Sequence, residues 1–113
     1  MAKTASRGSE GRASSGFDPG GSVEVECRPL DDFLGKSRPT YIKMDIEGAE
    51  PDALRGGDRL IRQATPVLAV CVYHCPDHLW EIPLAVRALS PAYSLYLRRY
   101  AEIPWELVCY GIP

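Results

Sequence analysis

Three side chains in this sequence combine a reactive type with a telling position: Asp45, Glu47 and His74. The run Tyr41-Ile42-Lys43-Met44-Asp45-Ile46-Glu47-Gly48-Ala49-Glu50 begins as an apolar strand and ends in acids, and a glycine then turns the chain into a helical pattern. His74 closes a second apolar run, Val67 to Tyr73. In an open α/β sheet, ligands bind at the carboxyl ends of the strands. Acids placed there orient a substrate, hold a cation or take a proton. Histidine changes its protonation near neutral pH and is the commonest general base. A plainer reading competes. A strand end is often merely solvated, the dipole of a following helix would favour Glu47 and Glu50 in any case, and a strand-end histidine is more often structural than catalytic.

Cys71, His74, Cys75 and His78 put four zinc-ligand types into eight residues. Zinc sites, however, usually split their ligands into two separated pairs so that a tetrahedron can close. Cys71 lies within a run that reads as a buried strand, and a strand turns residues 71 and 74 to opposite faces. Core cysteine plus strand-end histidine is the better reading, so no metal is assigned. The four cysteines, Cys27, Cys71, Cys75 and Cys109, read as reduced, buried thiols.

The elements that must position these groups can be read along the chain. Residues 1 to about 22 are rich in Ser, Gly, Arg and Lys, with Phe17 their only aromatic residue. Such a segment buries too little apolar surface to offset its ordering entropy and reads as disordered. Val23 to Arg28 alternates like an edge strand, and Pro29 to Leu34 makes a turn or one helical turn. Tyr41 to Ile46 is the second strand. A helix then starts near Ala49, with Pro51 tolerated in its first turn. Ala53, Leu54, Gly57, Leu60, Ile61 and Ala64 form one stripe along it. Gly56-Gly57 weakens it by roughly 1 kcal/mol per glycine, which points to a close approach to the sheet. Thr65-Pro66 ends it, and Val67 to Tyr73 is a strand apolar on both faces.

Strand, helix and buried strand make a βαβ unit, so the two strands are expected to be parallel with a right-handed crossover. Asp45, Glu47 and His74 then share one rim. A further helix should start around Trp80 with Pro83 in its first turn, because proline is not tolerated deeper. Tyr93–Tyr100 and Glu106–Ile112 read as an antiparallel hairpin.

Length and composition bound the function. The chain has 113 residues, 45% of them hydrophobic and 25% charged, and a net charge of −2. That leaves room for one small soluble domain. It carries no electrostatic footprint for nucleic acid or an acidic membrane. No apolar run approaches the roughly 20 residues needed to span a bilayer. The amino terminus lacks the apolar core of a signal peptide, so a cytoplasmic location is expected.

The stretch from Lys43 to Glu50 resembles the Lys-x-Asp-x-Glu-Gly-Ala-Glu signature of FkbM-type S-adenosylmethionine-dependent methyltransferases. Other segments follow in the family's order. Val23 to Asp32 resembles the strand and Leu-Asp-Asp turn that precede the signature. Ala53-Leu54-Arg55-Gly56-Gly57, Pro66 to His74, Leu79 to Pro83, Leu95 to Tyr100 and Glu106 to Tyr110 come after it. The likeness runs from about residue 13, where Ala13 to Phe17 is similar to the family's Ser-rich loop. Residues 1–12 match nothing in it. The family's opening strand, its glycine-rich turn around the methionine of the cofactor, and its ribose-binding acid have no counterpart.

The resemblance therefore implies the C-terminal half of a Rossmann-like class I methyltransferase, with a disordered head at 1–22 and a partial domain at 23–113. It implies O-methylation of a hydroxyl on a natural product or sugar, with S-adenosylmethionine as cofactor. A chain lacking the cofactor half is expected to be inactive alone. The alternative is a non-catalytic remnant, or a half-domain that needs a partner chain. Methyl transfer to a hydroxyl needs the acceptor oxygen held in line and its proton removed. His74 would be the base, Asp45 would orient the acceptor or fix the imidazole, and Glu47 would complete the site. Tyr73 and Trp80 either line an acceptor pocket or pack as core. Lys43 reads as the partner of a neighbouring acid. The partner implied is a small hydroxyl acceptor, with neither nucleic acid nor membrane. The Tyr41–Ile46 side of an incomplete sheet is expected to be an exposed edge prone to self-association.

Overall fold

A computed structural model describes residues 2–7, 15–17, 20–102 and 104–113. The elements in order are β1 (Ala2–Arg7), β2 (Ser15–Phe17), β3 (Val23–Glu26), α1 (Leu30–Phe33), β4 (Tyr41–Met44), α2 (Glu50–Gly56), α3 (Asp58–Ala64), β5 (Val67–Cys71), α4 (His78–Leu89), β6 (Ser94–Arg99) and β7 (Leu107–Ile112). The first three strands make an antiparallel sheet in the order β2-β1-β3. Two stretches of the head expected to be disordered, 2–7 and 15–17, are therefore strands. Pairing of β1 with β3, and of β2 with β1, supplies order that composition does not show, and the boundary at residue 22 would part β3 from β1. Residues 1, 8–14 and 18–19 of that head lie outside the described residues.

The remaining strands form a four-stranded sheet in the order β4-β5-β7-β6. β4 and β5 are parallel, with Tyr41 opposite Val67 and Met44 opposite Val70. β7 lies antiparallel to both β5 and β6. This register puts the ends of β4 and β5 side by side, and a side-chain period of two sorts β5 between two clusters. Leu68, Val70 and Val72 pack with Leu54 of α2, Ile61 of α3 and Ile82 and Val86 of α4. Ala69 and Cys71 face the other way, with Val108. Each large aliphatic side chain fully buried in the first cluster contributes about 1.5–3 kcal/mol of transfer free energy.

Two helices differ from the expected pattern. The stripe from Ala53 to Ala64 is not one helix: it breaks at Gly57, whose φ of −114° and ψ of 16° end α2 and begin α3. The glycines do not approach the sheet either. A methyl group on Gly57 would stand 3.2 Å from Leu30 Cδ1, and one on Gly56 would stand 3.3 Å from Pro29 Cα. The Pro29–Leu30 turn is the close neighbour that requires them. Asp31 then secures the break, accepting the backbone N–H groups of Arg59 at 3.0 Å and Leu60 at 2.8 Å. These are donors that a helix start leaves without intrahelical partners. The last helix begins at His78, not Trp80, so Pro83 lies within it. Among the described residues, no helix is long and apolar enough to cross a membrane.

Candidate functional site

The parallel pairing of β4 and β5 delivers Asp45 and His74 to one rim. His74 Nε2 lies 3.5 Å from Asp45 Oδ1. Glu47 joins them because the backbone turns sharply there: its φ is +58° and that of Gly48 is +101°. A non-glycine residue in the left-handed region costs on the order of 1 kcal/mol or more and persists only where its surroundings impose it. The turn leaves Glu47 Oε2 3.7 Å from His74 Nε2. One potential ligand atom from each of Asp45, Glu47 and His74 lies within 4.8 Å of the other two.

Asp45 is held from the side by Tyr73, whose hydroxyl donates to Oδ1 at 2.9 Å. Burial and this bond to Asp45 push the Tyr73 hydroxyl well above the usual phenol range. The Tyr73 ring also lies 4.2 Å, centre to centre, from the imidazole of His74. Tyr73 thus belongs to the rim, while Trp80 is exposed. Burial, helped by Asp45, raises the Cys71 thiol to about 12. Cys71 is a buried neutral thiol, as its place in β5 requires.

Beneath the rim lies a residue that sequence reasoning left unassigned. Glu50, in the first turn of α2, is 0% exposed. Its Oε1 accepts the backbone N–H of Ile46 at 2.9 Å, closing the turn that carries Asp45 and Glu47. The same oxygen is 3.0 Å from His74 Nδ1, off the line of a ring N–H. Its Oε2 is 3.7 Å from Nδ1 of the buried His78 and has no hydrogen-bond partner among the described residues. A helix-start acid was legible in the sequence through the dipole rule. Its burial was not, because that depends on how α2 and α4 close over it.

The run from Cys71 to His78 does not gather as a zinc set. Cys71 is buried in β5, Cys75 is exposed, and both histidines turn toward Glu50. All four cysteines are free, as expected. Cys71 and Cys109 are buried, whereas Cys27 is only partly covered and Cys75 is open, because each sits in a loop beyond a strand end. Next to the rim, a groove of about 570 Å³ runs from Ile46 and Ala49 to Cys27, Pro29 and Leu30. None of Asp45, Glu47 and His74 lines it.

Two acids and a buried imidazole nitrogen thus meet at the ends of adjacent parallel strands, a set of groups chemically able to accept hydrogen bonds. The methyltransferase FkbM domain matches residues 1–98, so the family's pattern extends over residues 1–12, for which the sequence alone offered no counterpart. The crystal structure of methyltransferase FkbM from Methylobacillus flagellatus KT superposes with a TM-score of 0.71 at 36% identity. The match covers 80% of this chain and 23% of that one, so this chain spans about a quarter of the length of that structure. No curated protein matches. The chain belongs to the FkbM methyltransferase family.

Proposed function

We infer that this chain supplies the acceptor side of a Rossmann-like, S-adenosylmethionine-dependent O-methyltransferase. The observation that carries the reading is His74 Nε2, which is buried, has no hydrogen-bond partner among the described residues and faces two carboxylates. An acceptor hydroxyl entering between Asp45, Glu47 and His74 finds hydrogen-bond acceptors on every side, and the cluster takes up its proton as the oxygen is alkylated. Tyr73 bonds Asp45, and Glu50 closes the turn that carries both acids. The hydroxyl belongs to a natural product or a sugar, the acceptor class that the family resemblance suggests. Free cysteines fit a reducing cytoplasm.

S-adenosylmethionine would supply an electrophilic methyl group. The described residues do not fit its cradle. Gly56 and Gly57 are packed against Pro29 and Leu30, and a methyl on Gly48 would meet His74 Cβ and Cys75 Sγ, each at 3.9 Å. No glycine-rich turn among the described residues presents its backbone to a ligand. A second reading, a half-domain that works with a partner chain, is favoured by β4, which lies at the edge of its sheet among the described strands. An open strand edge takes up another strand, from a partner or a second copy.

Calorimetry separates the two. The chain alone is expected to bind S-adenosylmethionine more weakly than about 10 μM. Mixed with a chain carrying the glycine-rich half of an FkbM enzyme, it should bind the cofactor and methylate members of a hydroxyl-acceptor panel. Asp45→Asn should abolish that transfer. Undiminished transfer by the Asp45→Asn form would refute the acceptor-side assignment, and tight cofactor binding by the chain alone would refute the half-domain reading.

A further inference from the structure

We propose that Asp45, Glu47 and His74 hold a divalent transition-metal ion, through one carboxylate oxygen of each acid and Nε2 of the histidine. The proposal rests on the rim being the seat of the acceptor hydroxyl and names what shares that seat. The three potential ligand atoms lie within 4.8 Å of one another. Partly exposed acids cluster on many proteins without binding metal, so the carboxylates alone carry nothing.

The histidine carries the argument. Its side chain is only 9% exposed, and Nε2 is buried without a hydrogen-bond partner among the described residues. Leaving such a nitrogen unpaired costs about 1–3 kcal/mol. It faces Asp45 Oδ1 at 3.5 Å and Glu47 Oε2 at 3.7 Å. Charge-assisted hydrogen bonds are shorter, about 2.7–2.9 Å. With nitrogen and oxygen ligands about 2.0–2.2 Å from an ion, neighbouring corners of a tetrahedron stand about 3.4 Å apart. The two separations from Nε2 match that edge within a few tenths of an ångström, and the two carboxylates stand within 4.8 Å of each other.

The surroundings agree. Metal-binding histidines usually offer their second nitrogen to a carboxylate or carbonyl, and ligating carboxylates are themselves hydrogen-bonded. The Tyr73 hydroxyl donates to Asp45, and Glu50 Oε1 stands 3.0 Å from His74 Nδ1, close enough to take its N–H once the ring turns into line. One imidazole with two carboxylates suits Mn²⁺, Fe²⁺, Co²⁺ or Zn²⁺ better than Mg²⁺, which prefers six oxygens. Three protein ligands leave a position open, the acceptor oxygen is its natural occupant, and its proton then passes to the carboxylate oxygen of Asp45 or Glu47 that does not hold the ion.

The test uses the chain as it is, freed of metal by a chelator and titrated with Co²⁺, Zn²⁺ and Mg²⁺. One equivalent of Co²⁺ or Zn²⁺ should bind with a dissociation constant below about 10 μM. Mg²⁺ should bind at least about 100-fold more weakly, and the Co²⁺ form should show visible d–d absorption. Asp45→Asn and His74→Ala should each weaken binding by about 100-fold or more, and Glu50→Gln by about 10–100-fold. Cys75→Ser should leave it unchanged. The Asp45 side chain is 40% exposed, so its variant tests the site even if the buried positions fail to fold. No binding below about 1 mM, or binding lost in Cys75→Ser and retained in Asp45→Asn, would overturn the proposal. Because the readout is binding, its failure would leave the acceptor-side reading to stand or fall on methyl transfer.

Discussion

Tyr93 and Glu50 are both wholly buried, at opposite ends of β5. At the amino end, the Tyr93 hydroxyl donates to the carbonyl of Pro66 at 2.7 Å. Around it, Arg62 donates to the carbonyl of Leu89 at 2.8 Å and Arg87 to that of Tyr93 at 2.6 Å. At the carboxyl end, Glu50 Oε2, both ring nitrogens of His74 and Nδ1 of His78 are buried without hydrogen-bond partners among the described residues. The two ends share one strand and one core. A buried polar group is normally satisfied, and an exception calls for a reason such as a ligand. The amino end is satisfied by the chain itself, whereas the carboxyl end keeps four buried polar atoms without a hydrogen-bond partner among the described residues.

The largest expected effect tests that contrast directly. In a complete FkbM methyltransferase carrying the same rim, His74→Ala should lower turnover by about 10²–10⁴-fold, the usual range for losing acid–base help. An unchanged rate would return the carboxyl end to a structural role. Next comes Tyr93→Ala, which empties the core and breaks the bond to Pro66. It should cost about 3–5 kcal/mol in urea unfolding of this chain, as truncation of large aromatics does. A loss below about 1 kcal/mol would mean that the amino end is not the anchor.

Removing the Asp31 carboxylate should cost about 0.5–2 kcal/mol, the range for a lost helix cap. It frees the N–H groups of Arg59 and Leu60 but leaves the rim alone. Asp45→Asn should move stability by no more than about 0.5 kcal/mol, because the rim contributes little to folding. A larger loss would make Asp45 a structural residue.

The smallest effect is chemical. Burial raises the Cys109 thiol to about 11. Its thiolate is scarce in the folded chain at pH 8, so iodoacetamide should label Cys75 first and Cys109 only after unfolding. The unfolded chain loses this proton near the ordinary thiol pKa of about 8.5, and the folded chain does not. Stability from this group is therefore whole below pH 8.5 and declines as pH rises toward 11. Equal labelling of Cys75 and Cys109 in the native chain would contradict the burial of β7.

Much of this was already legible in the residues. The apolar run of β5 and the acid-ended run of β4 read as adjacent parallel strands, since a helical stripe lies between them. Side-by-side strand ends then put Asp45 near His74, because a strand's direction and a βαβ crossover leave little freedom at the rim. The Lys43–Glu50 signature gave the family for the same reason, since it is local and contiguous. Tertiary structure alone decided the rest. Leu30 against Gly57 split a helix that periodicity shows as continuous. Pairing of β1 with β3 on one side and with β2 on the other made strands of two stretches whose composition reads as disordered. The left-handed turn at Glu47 brought a second carboxylate to the imidazole, and closure of α2 and α4 buried Glu50 beneath both histidines. Periodicity records which face of an element is covered. What covers it depends on contacts between segments far apart in the chain, and those exist only once the fold has closed.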